Sequence, residues 1–163
     1  MSSSDEENAL YGAVGFIVIH WGHCEQSLEL LVNTLFLQYS GNKLPGRKKM
    51  PKPLSAKIAF VKECILQMPS IAAFRVELEK LVRDFEAITQ IRHDLVHGAL
   101  TDDPVINGVF TFIRLETHPD IHEVKTFQFD LNEFPSFSKT LVRLGADAPR
   151  VARRVFDARP KPL

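Results

Sequence analysis

The chain has few cysteines, no charge of either sign in excess, and no long apolar run. Its only two cysteines, Cys24 and Cys64, lack CxxC spacing and sit inside apolar helical patterns. This argues against a disulfide framework and suits small buried hydrophobes in a reducing compartment. Twenty basic residues balance twenty acidic ones, so no global field draws the molecule to nucleic acid or an anionic membrane, and such a partner must be met by a local patch. No apolar stretch reaches membrane-spanning length, and Ser2-Ser3-Ser4-Asp5-Glu6-Glu7 is acidic where a secretory leader is basic and then apolar. The expectation is a cytoplasmic protein with no membrane partner. There is no GxGxxG, no Walker loop, no serine elbow, no internal repeat and no low-complexity segment.

What is present is helical periodicity. The 163 residues, 45% of them hydrophobic, suffice for one domain with its own core. Leu10, Val14, Ile17, Trp21, Cys24, Leu28, Leu31 and Leu35 recur at three- and four-residue spacing and predict one long amphipathic helix ending near Ser40-Gly41. Gly41 to Pro53 lacks periodicity and reads as an exposed loop. A shorter helix follows from about Leu54 to Met68, burying Leu54, Ile58, Val61, Ile65 and Met68, and Pro69-Ser70 breaks it. The next helix carries Ile71, Phe74, Leu78, Leu81, Phe85 and Ile88, then Arg92, then Leu95, with Gly98 placed as a left-handed C-terminal cap. Alternation in Val109 to Glu116 and His122 to Asp130 predicts a β-hairpin turning across Thr117-His118-Pro119-Asp120. A final helical region starts near Asn132, stops around Gly145 and restarts with Asp147 as N-cap and Pro149 in its first turn. The fold class expected is mainly α: an up-and-down bundle of four to five helices with an inserted β-hairpin at about 108–130 and a C-terminal helical region at about 132–157, all in a single domain, 1–163.

Arg92 continues an apolar seam, and a guanidinium is costly to desolvate unless it is paired or reaches a wet cleft. It opens the segment Arg92-His93-Asp94-Leu95-Val96-His97, which three chemistries could use. Arg92 and His97 could act on a phosphodiester, arginine holding the phosphate while histidine moves protons; a position at a helix C-terminus favours the imidazolium needed for general-acid duty, and no metal or other cofactor is required. His93 and His97 at i and i+4 could instead begin a metal site resembling HExxH, but Asp94 replaces the glutamate, and a third ligand would have to come from His118, His122 or Glu123. The plainest reading makes His93 and Asp94 surface residues, His97 a capping cation and Arg92 the partner of a buried carboxylate such as Glu25. His20 and His23, one turn apart in the first helix, read as half-buried polar neighbours. Two basic patches, Lys43 to Lys52 with Arg47, Lys48 and Lys49 in a row, and the tail with Arg143, Arg150, Arg153, Arg154, Arg159 and Lys161, could guide a polyanion or simply be solvated surface. Phe110, Phe112, Phe127 and Phe129 could stack bases, although core packing suits them better.

The segment from Arg92 to His97 resembles the Arg-x4-6-His signature of the HEPN superfamily (higher eukaryotes and prokaryotes nucleotide-binding), in which a polar residue such as His93 commonly follows the arginine. The resemblance covers roughly Leu10 to Leu100, with a further helix at Asn132 to Leu144. It implies a metal-independent endoribonuclease acting as a homodimer on RNA and leaving 2′,3′-cyclic phosphate ends. Arg92 would hold the scissile phosphate, His97 would act as acid or base, His93 would assist, Asp94 and Glu25 would support, and Arg47, Lys48 and Lys49 would contact RNA. A helical step of five residues separates Arg92 from His97 by well over a third of a turn, so a flexible arginine, fraying at Gly98 or a two-fold dimer is needed to unite them. The alternative is a non-catalytic interaction or nucleotide-binding module of the same fold, such as the partner of a toxin or nucleotidyltransferase, and an inhibitory protein partner fits either.

Overall fold

The structure, a computed structural model, describes residues 3–118 and 121–160, without the side chains of Ser3, Thr117, His118 and Ile121. The expected hairpin tip at Pro119-Asp120, the His118 side chain considered as a metal ligand and the tail residue Lys161 therefore lie outside what is described. The fold is mainly helical: α1 (Ser3–Asn33), α2 (Leu54–Gln67), α3 (Arg75–His97) and α4 (Phe134–Asp157), with β1 (Ala99–Leu100), β2 (Val109–His118) and β3 (Ile121–Asp130) between α3 and α4. The chain divides into two compact units, a hairpin unit (Met1–His20 with Ala87–Leu141) and a four-helix unit (Trp21–Glu86 with Val142–Leu163).

In the four-helix unit the predicted apolar stripes are the core. Trp21, Cys24, Leu28, Leu31 and Leu35 are buried, as are Ile58, Val61 and Ile65 of α2 with Met68 just after it, and Leu78, Leu81 and Phe85 of α3. Trp21 and Phe85 meet edge to face with ring centroids 5.6 Å apart, a favoured geometry for two π quadrupoles. Leu54, expected inside, is half-buried in the first turn of α2. After α1 the helix loosens into a π turn, Thr34–Gln38, and ends at Ser40, whose φ of 63° is left-handed. Tyr39 then donates its hydroxyl hydrogen to the Val155 carbonyl at 2.9 Å, tying this helix end to α4. The Gly41 to Pro53 segment is anchored at points, since Gly41 and Pro51 are buried.

The expectation of a break in α4 is corrected. The helix runs unbroken through Gly145 and Pro149. Leu141, Leu144, Ala148, Val151, Ala152 and Val155 are all buried, a stripe that keeps helical spacing across both supposed breakers. Packing of that stripe outweighs the one hydrogen bond that proline removes. Asp147 caps nothing and instead accepts from Lys80 at 2.9 Å and Arg150 at 3.1 Å.

The hairpin unit holds residues 3–20 of α1, the C-terminal turns of α3, the start of α4 and an antiparallel sheet of order β1-β2-β3. Leu10, Ala13 and Ile17 are buried, while Val14, expected beside them, is half-buried. The expected hairpin forms, its register pairing Val109 with Asp130 and Phe112 with Phe127, and β1 is a short addition pairing Ala99 with Ile113. Phe110, Phe112 and Phe129 are buried, and Phe112 stacks on half-buried Phe127 with ring planes 9° apart. The aromatics are packing residues here.

Gly98 also departs from expectation. It is not among the residues of positive φ, so it is no left-handed cap. Its N–H donates to the Asp94 carbonyl at 2.7 Å, and a Cβ there would stand 2.5 Å from the Phe127 ring and 2.6 Å from that carbonyl oxygen. Glycine is required because β3 lays an aromatic ring against the end of α3.

Candidate functional site at the end of α3

The last two turns of α3 carry Arg92, His93, Asp94 and His97. Arg92 is half-buried, in keeping with its place on the seam between buried Ile88 and buried Leu95. His93 and His97 are exposed residues whose rings lie side by side, centroids 4.7 Å apart. Helical spacing makes this pairing, because i and i+4 share a face. Arg92 does not share it, so the two imidazoles are the groups that the helix itself unites.

Asp94 is half-buried and engaged away from those rings. It accepts from Gln90 Nε2 at 2.8 Å and from the Arg114 guanidinium of β2. Arg114 also holds Glu116, which in turn receives Lys125 Nζ at 2.6 Å. A four-membered charge cluster thus joins α3 to the hairpin. The hydrogen bond from Lys125, and then that from Arg114, pull the Glu116 carboxyl down to about 2.

His93 feels this cluster. Its partial loss of water lowers its pKa from the ordinary 6.5, the Arg114 guanidinium and the His97 ring lower it further, Arg92 adds to this, and Asp94 opposes. These influences favour the neutral imidazole, the form that accepts a proton. Arg114 was not among the residues singled out by sequence, although a signal was there. Alternation puts Arg114 on the face of β2 that carries Phe110 and Phe112, where a cation needs a partner for the same reason as Arg92.

The other sequence candidates are placed as follows. Arg47 is half-buried, bonded to Glu63 at 2.6 Å and set over the Phe60 ring at 5.9 Å, whereas Lys48 and Lys49 are exposed. All three belong to the four-helix unit, as does Glu25, half-buried on α1. The C-terminal arginines are largely committed: Arg143 reaches Asp84, Arg150 reaches Glu77 and Asp147, Arg154 reaches Glu77 and Arg153 reaches Asp157. His122 and Glu123 are exposed on β3. Among the described residues no group of three or more His, Cys, Asp or Glu is arranged to hold a metal ion, and no helix is long and apolar enough to cross a membrane. Compared with protein-family models, with curated proteins and with solved structures, the chain matches none.

Proposed function

We propose that this protein is a metal-independent endoribonuclease of the kind its Arg92-to-His97 segment resembles, working as a homodimer on RNA. The observation that supports the reading best is the pair of imidazoles, His93 beside His97 with ring centroids 4.7 Å apart. Transesterification of RNA needs a base at the ribose 2′-hydroxyl and an acid at the departing 5′-oxygen. His93 takes the 2′ proton, the 2′-oxygen attacks phosphorus, the P–O5′ bond breaks, and His97 gives its proton to the leaving oxygen. The products are a 2′,3′-cyclic phosphate and a 5′-hydroxyl, with no redox change. Arg92 binds the phosphate and the negative charge that grows on it.

The test is cleavage of mixed RNA by purified protein in excess chelator. His97→Ala and His93→Ala each lose about 10²–10⁴-fold in rate while keeping the wild-type melting temperature. Because His93 is lowered from 6.5, the base limb of the pH profile falls below that value. Absence of cleavage, or cleavage unchanged in both folded variants, returns the fold to the non-catalytic interaction module.

A further inference from the structure

A second surface of the hairpin unit has its own chemistry. β3 is the outer strand of the sheet, and the phase of its hydrogen bonds follows from two contacts beyond the hairpin. Thr101 N–H donates to the Thr111 carbonyl at 3.0 Å, so the polar backbone of Thr111 points toward β1 and away from β3. Its partner Gln128 is then in a pair that exchanges no hydrogen bonds, and its N–H and C=O point off the free edge. The bond from Leu131 N–H to the Gly108 carbonyl, 3.0 Å, fixes the same phase from the other end. Stepping by two, Thr126 and Val124 also face outward, and none of the three has a backbone partner among the described residues on that side. An open edge ten residues long, with neither proline nor bulge, is an arrangement that folded proteins normally blunt.

A cavity of about 240 Å³ runs along this edge. Phe127, Gln128, Phe129 and Asp130 all line it. Consecutive residues of a strand point to opposite faces, so a cavity touching four in a row follows the strand's edge and not one face. Its opposite wall is Ile91 and Leu95 of α3 with Phe137 of α4, and a neighbouring cavity of about 530 Å³ continues it past Glu133 and Phe137. A groove between a free strand edge and a helix is the geometry in which an extended peptide adds as a further strand. The charge is of one sign: Asp94, Asp130 and Glu133 line the first cavity, and no lysine or arginine does. Asp94 is offset by Arg114, and among the described residues the Asp130 carboxylate bonds only neutral Asn132 groups at 2.8 Å while the exposed Glu133 side chain has no hydrogen bond or ion pair.

We infer that the groove between β3 and the end of α3 is a docking site for an extended peptide alternating cationic and apolar residues, which adds as a fourth strand along Val124, Thr126 and Gln128. Main-chain bonds to those three residues fix the peptide, apolar side chains enter between Phe127, Phe129 and Phe137, and a lysine or arginine meets Glu133 and Asp130. The site is independent of RNA cleavage and uses neither His93 nor His97.

The probe is a fluorescein-labelled short peptide alternating arginine and valine, read by anisotropy, with a glutamate–valine peptide as control. The expected result is saturable binding of the cationic peptide only, with amide exchange slowed at Val124, Thr126 and Gln128. Gln128→Pro removes one outward N–H without touching the β2 ladder, and is expected to weaken binding about tenfold or more. Glu133→Gln weakens it about threefold to tenfold through lost charge. Equal binding of the acidic peptide, unchanged amide exchange in wild type, or no binding at all overturns the proposal. So does a concentration-dependent dimer abolished by Gln128→Pro, which would assign the edge to a second copy of the chain. The exchange measurement needs no variant, so a misfolded Gln128→Pro does not shield the inference.

Discussion

Two stretches of α3 handle charge in opposite ways. Along the half that belongs to the four-helix unit, Glu77, Lys80 and Asp84 interlock with Arg143, Asp147 and Arg150 of α4, cation alternating with carboxylate. In the half that belongs to the hairpin unit, Asp94 pairs with Arg114, and the His93 ring lies near cations and another imidazole. The first arrangement neutralises charge at a seam between helices; the second leaves two titratable rings next to one another. Neutralised charge serves cohesion, and the adjacent imidazoles are what the proposed reaction would draw on.

Two glycines sharpen the contrast, and they carry the largest expected effects on stability. Gly98→Ala forces a methyl into the Phe127 ring and the Asp94 carbonyl, and should cost about 1–3 kcal/mol in chemical denaturation. Gly145→Ala in α4 meets only Cys24 Sγ at 3.9 Å, an ordinary contact, so the same exchange should add about 0.5–1 kcal/mol through helix propensity. If both changes destabilise alike, the difference between the tight site end and the tolerant seam is lost. Next in size is the seam itself: Glu77→Gln removes the negative charge that Arg150 and Arg154 share, yet these side chains are half in water, so the loss should stay below about 1 kcal/mol. The smallest effect is in acid. Glu116 lies at about 2 against an ordinary 4.5, so the folded state holds its proton less tightly than the unfolded chain. Its stabilisation is complete above 4.5 and is lost as pH falls toward 2; the gap in melting temperature between wild type and Glu116→Gln should close over that window.

How much was legible in the sequence follows the same division. Helical stripes and the two strands of the hairpin were readable because apolar periodicity is local and strong, and Leu78 to Ile88 needed no other information. Pro149 misled because propensity is local, whereas the stripe from Leu141 to Val155 gains its stability from neighbours distant in sequence. Gly98 misled for a related reason: glycine next to a helix end commonly signals a left-handed cap, and only the folded hairpin reveals that a ring needs the space. Arg92, His93, Asp94 and His97 were visible as a cluster, but the commitment of Asp94 to Arg114 depends on a strand twenty residues later. Of the basic tail, composition showed the arginines and not the carboxylates of α3 that answer them.

The two cysteines have a practical consequence. Cys24 and Cys64 are both fully covered, both pushed up, to about 11 and about 12, and both in the four-helix unit. A thiol that is covered and protonated does not react with a thiol-trapping reagent at neutral pH until its surroundings open. The chain therefore carries a stopwatch in one unit and none in the other. Trapping rates time the opening of the four-helix unit alone, whatever the hairpin unit does meanwhile.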